Sequence, residues 1–85
     1  MIEKFKKFVK DKIYNQLEFY DNISLINKNG KFIGKRFFLT PYNEDYDYVK
    51  RQLCYFISSW DYPIYIRTDS NSRAILIDIL KEKKS

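Results

Sequence analysis

An α+β two-layer sandwich of element order α-β-β-α-β-β, with a four-stranded antiparallel sheet carrying two helices on one face, is predicted by three observations. Two segments place apolar residues three and four apart, the dipeptide Asn29-Gly30 separates two alternating stretches, and a shift of 40 residues lays the second half of the chain over the first.

The first segment sets Ile2, Phe5, Val9, Ile13, Leu17 and Tyr20 on one helical face, with Lys4, Lys6, Lys7, Lys10 and Asp11 largely elsewhere, which predicts an amphipathic helix over residues 2–20. Residues 22–28 and 31–39 then alternate. Asn-Gly between them favours positive φ at both central turn positions, so a type I′ hairpin is expected. Its register pairs Ile26 with Ile33, Leu25 with Gly34 and Ile23 with Arg36. Ile23, Leu25, Phe32 and Phe38 then form the expected core side, leaving Ser24, Lys28, Lys31 and Lys35 outward beside Ile26, Ile33 and Phe37.

Thr40-Pro41 or Asn43 supplies the start of a second helix, whose first turn is acidic through Glu44, Asp45 and Asp47. Its stripe is Tyr46, Val49, Leu53, Phe56, Ile57 and Trp60, ended by a turn at Asp61-Tyr62-Pro63. Residues 64–68 read as a strand, Asp69-Ser70-Asn71-Ser72 as a turn, and residues 73–80 as a strand with Ile75, Ile77 and Ile79 on one face. The last stretch also fits a helix capped by Ser70 or Ser72 with Ile75, Leu76, Ile79 and Leu80 inward.

The 40-residue shift superposes Val9 on Val49, Lys10 on Lys50, Asp21 on Asp61 and Ile26 on Ile66. It suggests pseudo-repeat units 1–40 and 41–85 within one domain, each unable to bury its apolar face alone. The order resembles a circular permutation of the ferredoxin-like arrangement. It also resembles the core of LAGLIDADG homing endonucleases in element order alone, since Leu17-Glu18-Phe19-Tyr20-Asp21 lacks the small Gly residues of that helix, and fold does not imply function.

At 85 residues the chain closes one modest core. No apolar run reaches the roughly 18 residues of a membrane span, and the N-terminal lysines interrupt what a secretory signal would need. A cytoplasmic protein of a host cell is expected. Sixteen Lys+Arg against 11 Asp+Glu give +5, with a pI near 9.3, which favours polyanionic partners. Residues encoded by AT-rich codons (Ile, Lys, Asn, Tyr, Phe, Met) make up more than half of the chain, and there is a single Ala, Ala74. A low-GC virus, plasmid or host therefore accounts for part of the Lys and Tyr abundance without selection for function.

The chain has no His, which removes Ser-His nucleophiles and His-bearing metal sites. Gly30 and Gly34 are the only glycines, so no Gly-rich phosphate loop exists. Glu44, Asp45 and Asp47 form either a cation site or a stabilised helix start. Asp21 and Asp61 are either paired acids or turn residues. Cys54, the single cysteine, reads as a small buried hydrophobe and forms no disulfide within the chain. No catalytic residue, cofactor or metal is expected, and the chain reads as a non-enzyme.

What remains is a binding surface. Lys28, Lys31, Lys35 and Arg36 on the first hairpin, with Arg67 and Arg73 flanking the second turn and Tyr65 to stack on bases, are the contact candidates. Tyr14, Phe19, Tyr42, Tyr48, Tyr55 and Tyr62 lie off the core stripes and suit a protein interface. The first helix also has a membrane-surface pattern in Phe5 and Phe8 opposite lysines, but the sheet needs its stripe, which disfavours a membrane partner. The leading expectation is a small viral or mobile-element protein that docks on a host protein or nucleoprotein and inhibits it, as anti-CRISPR proteins do. Direct nucleic-acid binding is the alternative, and a homodimer is compatible with either.

Overall fold

The computed structural model describes residues 2–60, 64–69, 71 and 73–81. Its N-terminal helix is α1, Ile2–Phe8, continued by a π-helical turn, Val9–Ile13, and a 3-10 turn, Tyr14–Gln16. Phe5, Val9 and Ile13, four residues apart, are its buried stripe. The helix stops earlier than periodicity predicts: Leu17 is already extended, and Leu17 to Tyr20 belong to strand β1, Leu17–Ile26. Strand β2, Phe32–Pro41, is ten residues long, and its full pairing draws β1 back to a Leu17↔Pro41 partnership. Leu17 and Tyr20 fit both periods, and the hydrogen-bonded ladder decides between them.

The hairpin pairs Leu25 with Gly34 and Ile23 with Arg36 as expected, but Ile26 meets Phe32 across a register shift. The turn is not type I′, because Gly30 alone has positive φ, +81°, and Asn29 does not. Asn27 organises the loop instead. Its Oδ1 accepts the Asn29 and Lys31 N–H groups at 2.8 and 3.0 Å, and its carbonyl accepts the Gly30 N–H at 2.9 Å.

Thr40 and Pro41 finish β2 and do not start a helix. A 3-10 turn, Asn43–Asp45, leads into α2, Tyr46–Ser58, with Val49 and Leu53 fully buried. The predicted turn Asp61-Tyr62-Pro63 lies outside the described residues, as do Ser70 and Ser72 of the next one. Strands β3, Ile64–Asp69, and β4, Ala74–Leu80, follow, so the helical alternative for the last segment is excluded. The Asn71 N–H bonds Asp69 Oδ1 at 3.0 Å, and Arg73 enters β4 from the left-handed region at φ 59°.

The sheet order is β1-β2-β4-β3, antiparallel throughout. Opposed residues of an antiparallel pair share a face. One face therefore carries the rows Tyr20-Leu39-Ile75-Thr68, Asn22-Phe37-Ile77-Ile66 and Ser24-Lys35-Ile79-Ile64. Phe37, Leu39, Ile75, Ile77 and Ile79 on that face are buried with Phe5, Val9, Ile13, Val49 and Leu53 of the helices. The Phe5 ring lies 4.6 Å from that of Phe37 and 5.5 Å from that of Phe56, which fixes both helices on this side.

The core side of the hairpin is thus the reverse of the expectation: Phe37 is buried, while Ile23, Leu25 and Phe38 lie on the opposite face. Both faces of the hairpin carry large apolar residues, and the choice is made by β4. Its face of three isoleucines outcompetes Leu76-Asp78-Leu80 for the interior, because Asp78 would enter it charged. No described helix is long and apolar enough to cross a membrane. Phe5 is fully buried in the core, and Phe8, partly buried, packs on Phe56 at 4.7 Å.

Candidate binding face

The sheet face away from the helices carries the rows Leu25-Gly34-Leu80, Ile23-Arg36-Asp78-Tyr65, Asp21-Phe38-Leu76-Arg67 and Phe19-Thr40. No described element covers it. Phe19, Ile23 and Tyr65 are 52%, 47% and 60% exposed, and Leu25, Phe38, Leu76 and Leu80 are partly buried by one another. Exposed apolar surface of this kind makes the face a candidate for binding.

One ion pair sits at its centre. Arg36 donates from Nε to Asp78 Oδ1 at 2.7 Å and from Nη2 to Oδ2 at 2.9 Å, a fork-on-fork geometry between side chains only 29% and 18% exposed. The guanidinium hydrogen bonds hold the Asp78 carboxyl below its ordinary pKa, with the positive field of Arg67 adding to them against partial burial. Arg36 is raised in turn.

Because the folded-state pKa of Asp78 is depressed, the pair stabilises fully above the unfolded value near pH 4, and this contribution disappears as pH falls through the lower folded value. The urea midpoints of wild type and Asp78→Asn are therefore expected to differ at pH 7 and to converge as pH falls below the depressed folded value. A gap that persists at acid pH would mean that the aspartate stabilises by shape and not by charge.

The predicted contact residues do not form one surface. Arg36, Arg67 and Tyr65 meet on the open face. Lys28 and Lys31 are exposed in the hairpin loop at one end of the sheet. Lys35 points to the helix side, where its Nζ donates to Asn22 Oδ1 at 3.3 Å and to Ser24 Oγ at 3.4 Å. The Arg73 guanidinium lies 5.7 Å from the Tyr46 ring centroid. Phe19, expected at an interface, does lie on the open face, and Ile23, Leu25, Phe38, Leu76, Asp78 and Leu80 join it there, the first three of them expected in the core. The alternation Leu76-Asp78-Leu80 was the available signal.

Among the described residues no group of three Cys, Asp or Glu side chains is placed to hold a metal ion. Asp21 Oδ1 accepts the N–H of Asn22 at 2.8 Å, and its suggested partner Asp61 lies outside the described residues. Cys54 is exposed, because one residue beyond Leu53 it turns away from the stripe that packs on the sheet. Tyr14, Phe19, Tyr42, Tyr48 and Tyr55 are exposed as expected, and Tyr62 is outside the described residues. Comparison with family models, curated proteins and solved structures returns no match, so the face is read from its chemistry alone.

Proposed function

We propose that this chain is a non-enzymatic binding protein that docks on a protein surface, that of a host protein or nucleoprotein, through the uncovered face of its sheet. The observation that carries this reading is the character of that face: aromatic and aliphatic side chains around a neutralised Arg36–Asp78 pair. Among the described residues its ionised groups are Arg36 and Arg67 against Asp21, Asp69 and Asp78, two positive and three negative, in a chain of net charge +5. The positive excess is therefore elsewhere. A face with no positive surplus gives little attraction for a phosphate backbone but suits a protein interface, whose centre is depleted in charge and rich in aromatic residues and Arg. Small size and the missing His and phosphate loop support inhibition by occupancy, the mode of anti-defence proteins of viruses and mobile elements, including anti-CRISPR proteins.

The test is capture of a partner from the natural host by the tagged chain, repeated with the double variant Phe19→Ser/Ile23→Asp. Both side chains are about half exposed, so the variant is expected to keep its circular dichroism spectrum. Central interface anchors cost about 2 kcal/mol or more each when removed, so capture should be lost. Retention of the same partner by the double variant, or recovery of no stable protein partner, would sink the reading.

A further inference from the structure

On the other side of the sheet, an open groove of about 540 Å³ runs between the N-terminal helix and the edge strand β1, lined by Lys6, Val9, Lys10, Tyr14, Tyr20 and Asn22. Lys6, Lys10 and Tyr14 succeed one another at four-residue intervals and so form one column along the helix. The π-helical turn occupies the middle of that column, a feature frequent at functional sites. Asn22 forms the facing wall.

The charge of the groove is one-signed. Among the described residues its lining holds two lysines and no carboxylate, and Lys35, hydrogen-bonded to Asn22 Oδ1, brings a third ammonium to the facing wall. Lys10 has no ion-pair partner among the described residues, Lys35 bonds only neutral acceptors, and Lys6 meets Glu3 at a loose 3.7 Å. The acid Asp11 is engaged instead by Lys7 at 2.7 Å, and both line a different groove between the two helices.

Two rings complete the groove. Tyr20 lies nearly parallel to Phe37, 11° between planes, and is fixed there, while Tyr14 meets it edge-on at 6.3 Å and 89° and remains 56% exposed. Burial holds the Tyr20 phenol above its ordinary pKa, so it carries no charge to oppose an anion. With its carbonyl taken by Lys35, Asn22 keeps its amide N–H groups for a ligand.

We propose that this groove binds a nucleoside phosphate, with the phosphate held by Lys6, Lys10 and Lys35, the base stacked on Tyr14, and Asn22 donating to it. The volume falls within the roughly 300–1,000 Å³ of small-molecule sites. Successive ammonium groups beside exposed aromatic rings are the arrangement by which single strands are held without sequence preference. The same chemistry is offered by a free mononucleotide and by a unit of single-stranded nucleic acid. The groove is independent of the docking face, since β1 separates the two.

The experiment is titration of the full-length chain at low salt with AMP, UMP and fluorescein-labelled dT10, followed by amide chemical shifts and fluorescence anisotropy. Shifts at Lys10, Tyr14 and Asn22 are expected. Lys10→Gln should weaken dT10 binding about tenfold and lower the salt slope by about one. Tyr14→Leu should weaken it several-fold with the slope unchanged, and Tyr14→Trp should restore it.

Lys7→Glu and the pair Lys28→Gln/Lys31→Gln serve as controls. AMP or UMP binding identifies the mononucleotide as sufficient, and binding of dT10 alone identifies the strand as the ligand. Absence of binding by all three probes overturns the proposal. So does binding that falls equally with every lysine variant and ignores Tyr14, which is diffuse attraction to a basic surface. None of these outcomes bears on capture of a protein by the opposite face.

Discussion

Phe37→Ala is expected to cost about 3–5 kcal/mol of folding stability, while Phe38→Ala, one residue further along the same strand, should cost about 1 kcal/mol. Phe37 is fully buried, packed by Phe5 at 4.6 Å and lying parallel to Tyr20 at 6.3 Å, so its removal leaves a cavity under both helices. Phe38 belongs to the open face beside Leu76 and Asp21 and already meets solvent. At about 0.05–0.15 kcal/mol per residue a chain of this length has only about 4–13 kcal/mol in total, so Phe37→Ala consumes much of it. Urea unfolding of the two variants side by side is the measurement. A Phe38→Ala loss equal to or larger than that of Phe37→Ala would reverse the assignment of the two faces and remove the proposed docking surface.

The second large effect is expected at Gly34. A methyl group there would meet backbone and not flexible side chain: the Ile79 carbonyl oxygen closer than atoms approach, Leu80 Cα at 2.9 Å and Ile79 carbonyl carbon at 3.2 Å. These belong to β4, the partner of β2 in the middle of the sheet, so Gly34→Ala requires the two strands to part. The cost is expected at or above the upper end of the 1–3 kcal/mol of ordinary overpacking. At roughly 4–8 °C per kcal/mol, thermal melts should show a fall of about 12–24 °C. Amide exchange at Lys81, whose N–H bonds the Ile33 carbonyl at 2.7 Å, should accelerate. Gly30→Ala is the comparison, because Gly30 faces open space and only its φ of +81° opposes a side chain, a penalty of about 1–2 kcal/mol. A Gly34→Ala melt no lower than that of Gly30→Ala would show that the β2–β4 contact gives way easily.

The candidate docking face was legible only in fragments. Tyr65, Arg36 and Arg67 were singled out because they are basic or aromatic, and they do share that face. Lys28, Lys31, Lys35 and Arg73 were grouped with them by proximity in sequence, yet Lys35 differs from Arg36 by the one-residue step that sends a strand side chain to the opposite face. Asp78 was not anticipated as the partner of Arg36, because 42 residues separate them and only the β2–β4 register brings them together. The groove beside β1 joins a helical column to a strand, and nothing local ties Tyr14 to Asn22.

By itself the sequence determined the first five elements in order, the second helix and its stripe, and the Leu25–Gly34 and Ile23–Arg36 pairings. Each of these is a short-range periodicity or a turn signal, readable because the physics that sets it acts over a few residues. Residues 73–80 fitted strand or helix until pairing with β2 and β3 made them a strand. Tertiary structure alone decided where the first helix ends, since Leu17 and Tyr20 satisfy either period until β2 supplies a ten-residue partner. It also decided which side of the first hairpin is buried. Both of that hairpin's faces carry large apolar residues, and only the burial of Ile75, Ile77 and Ile79 in preference to Asp78 turned Phe37 inward and left Ile23, Leu25 and Phe38 on the uncovered face.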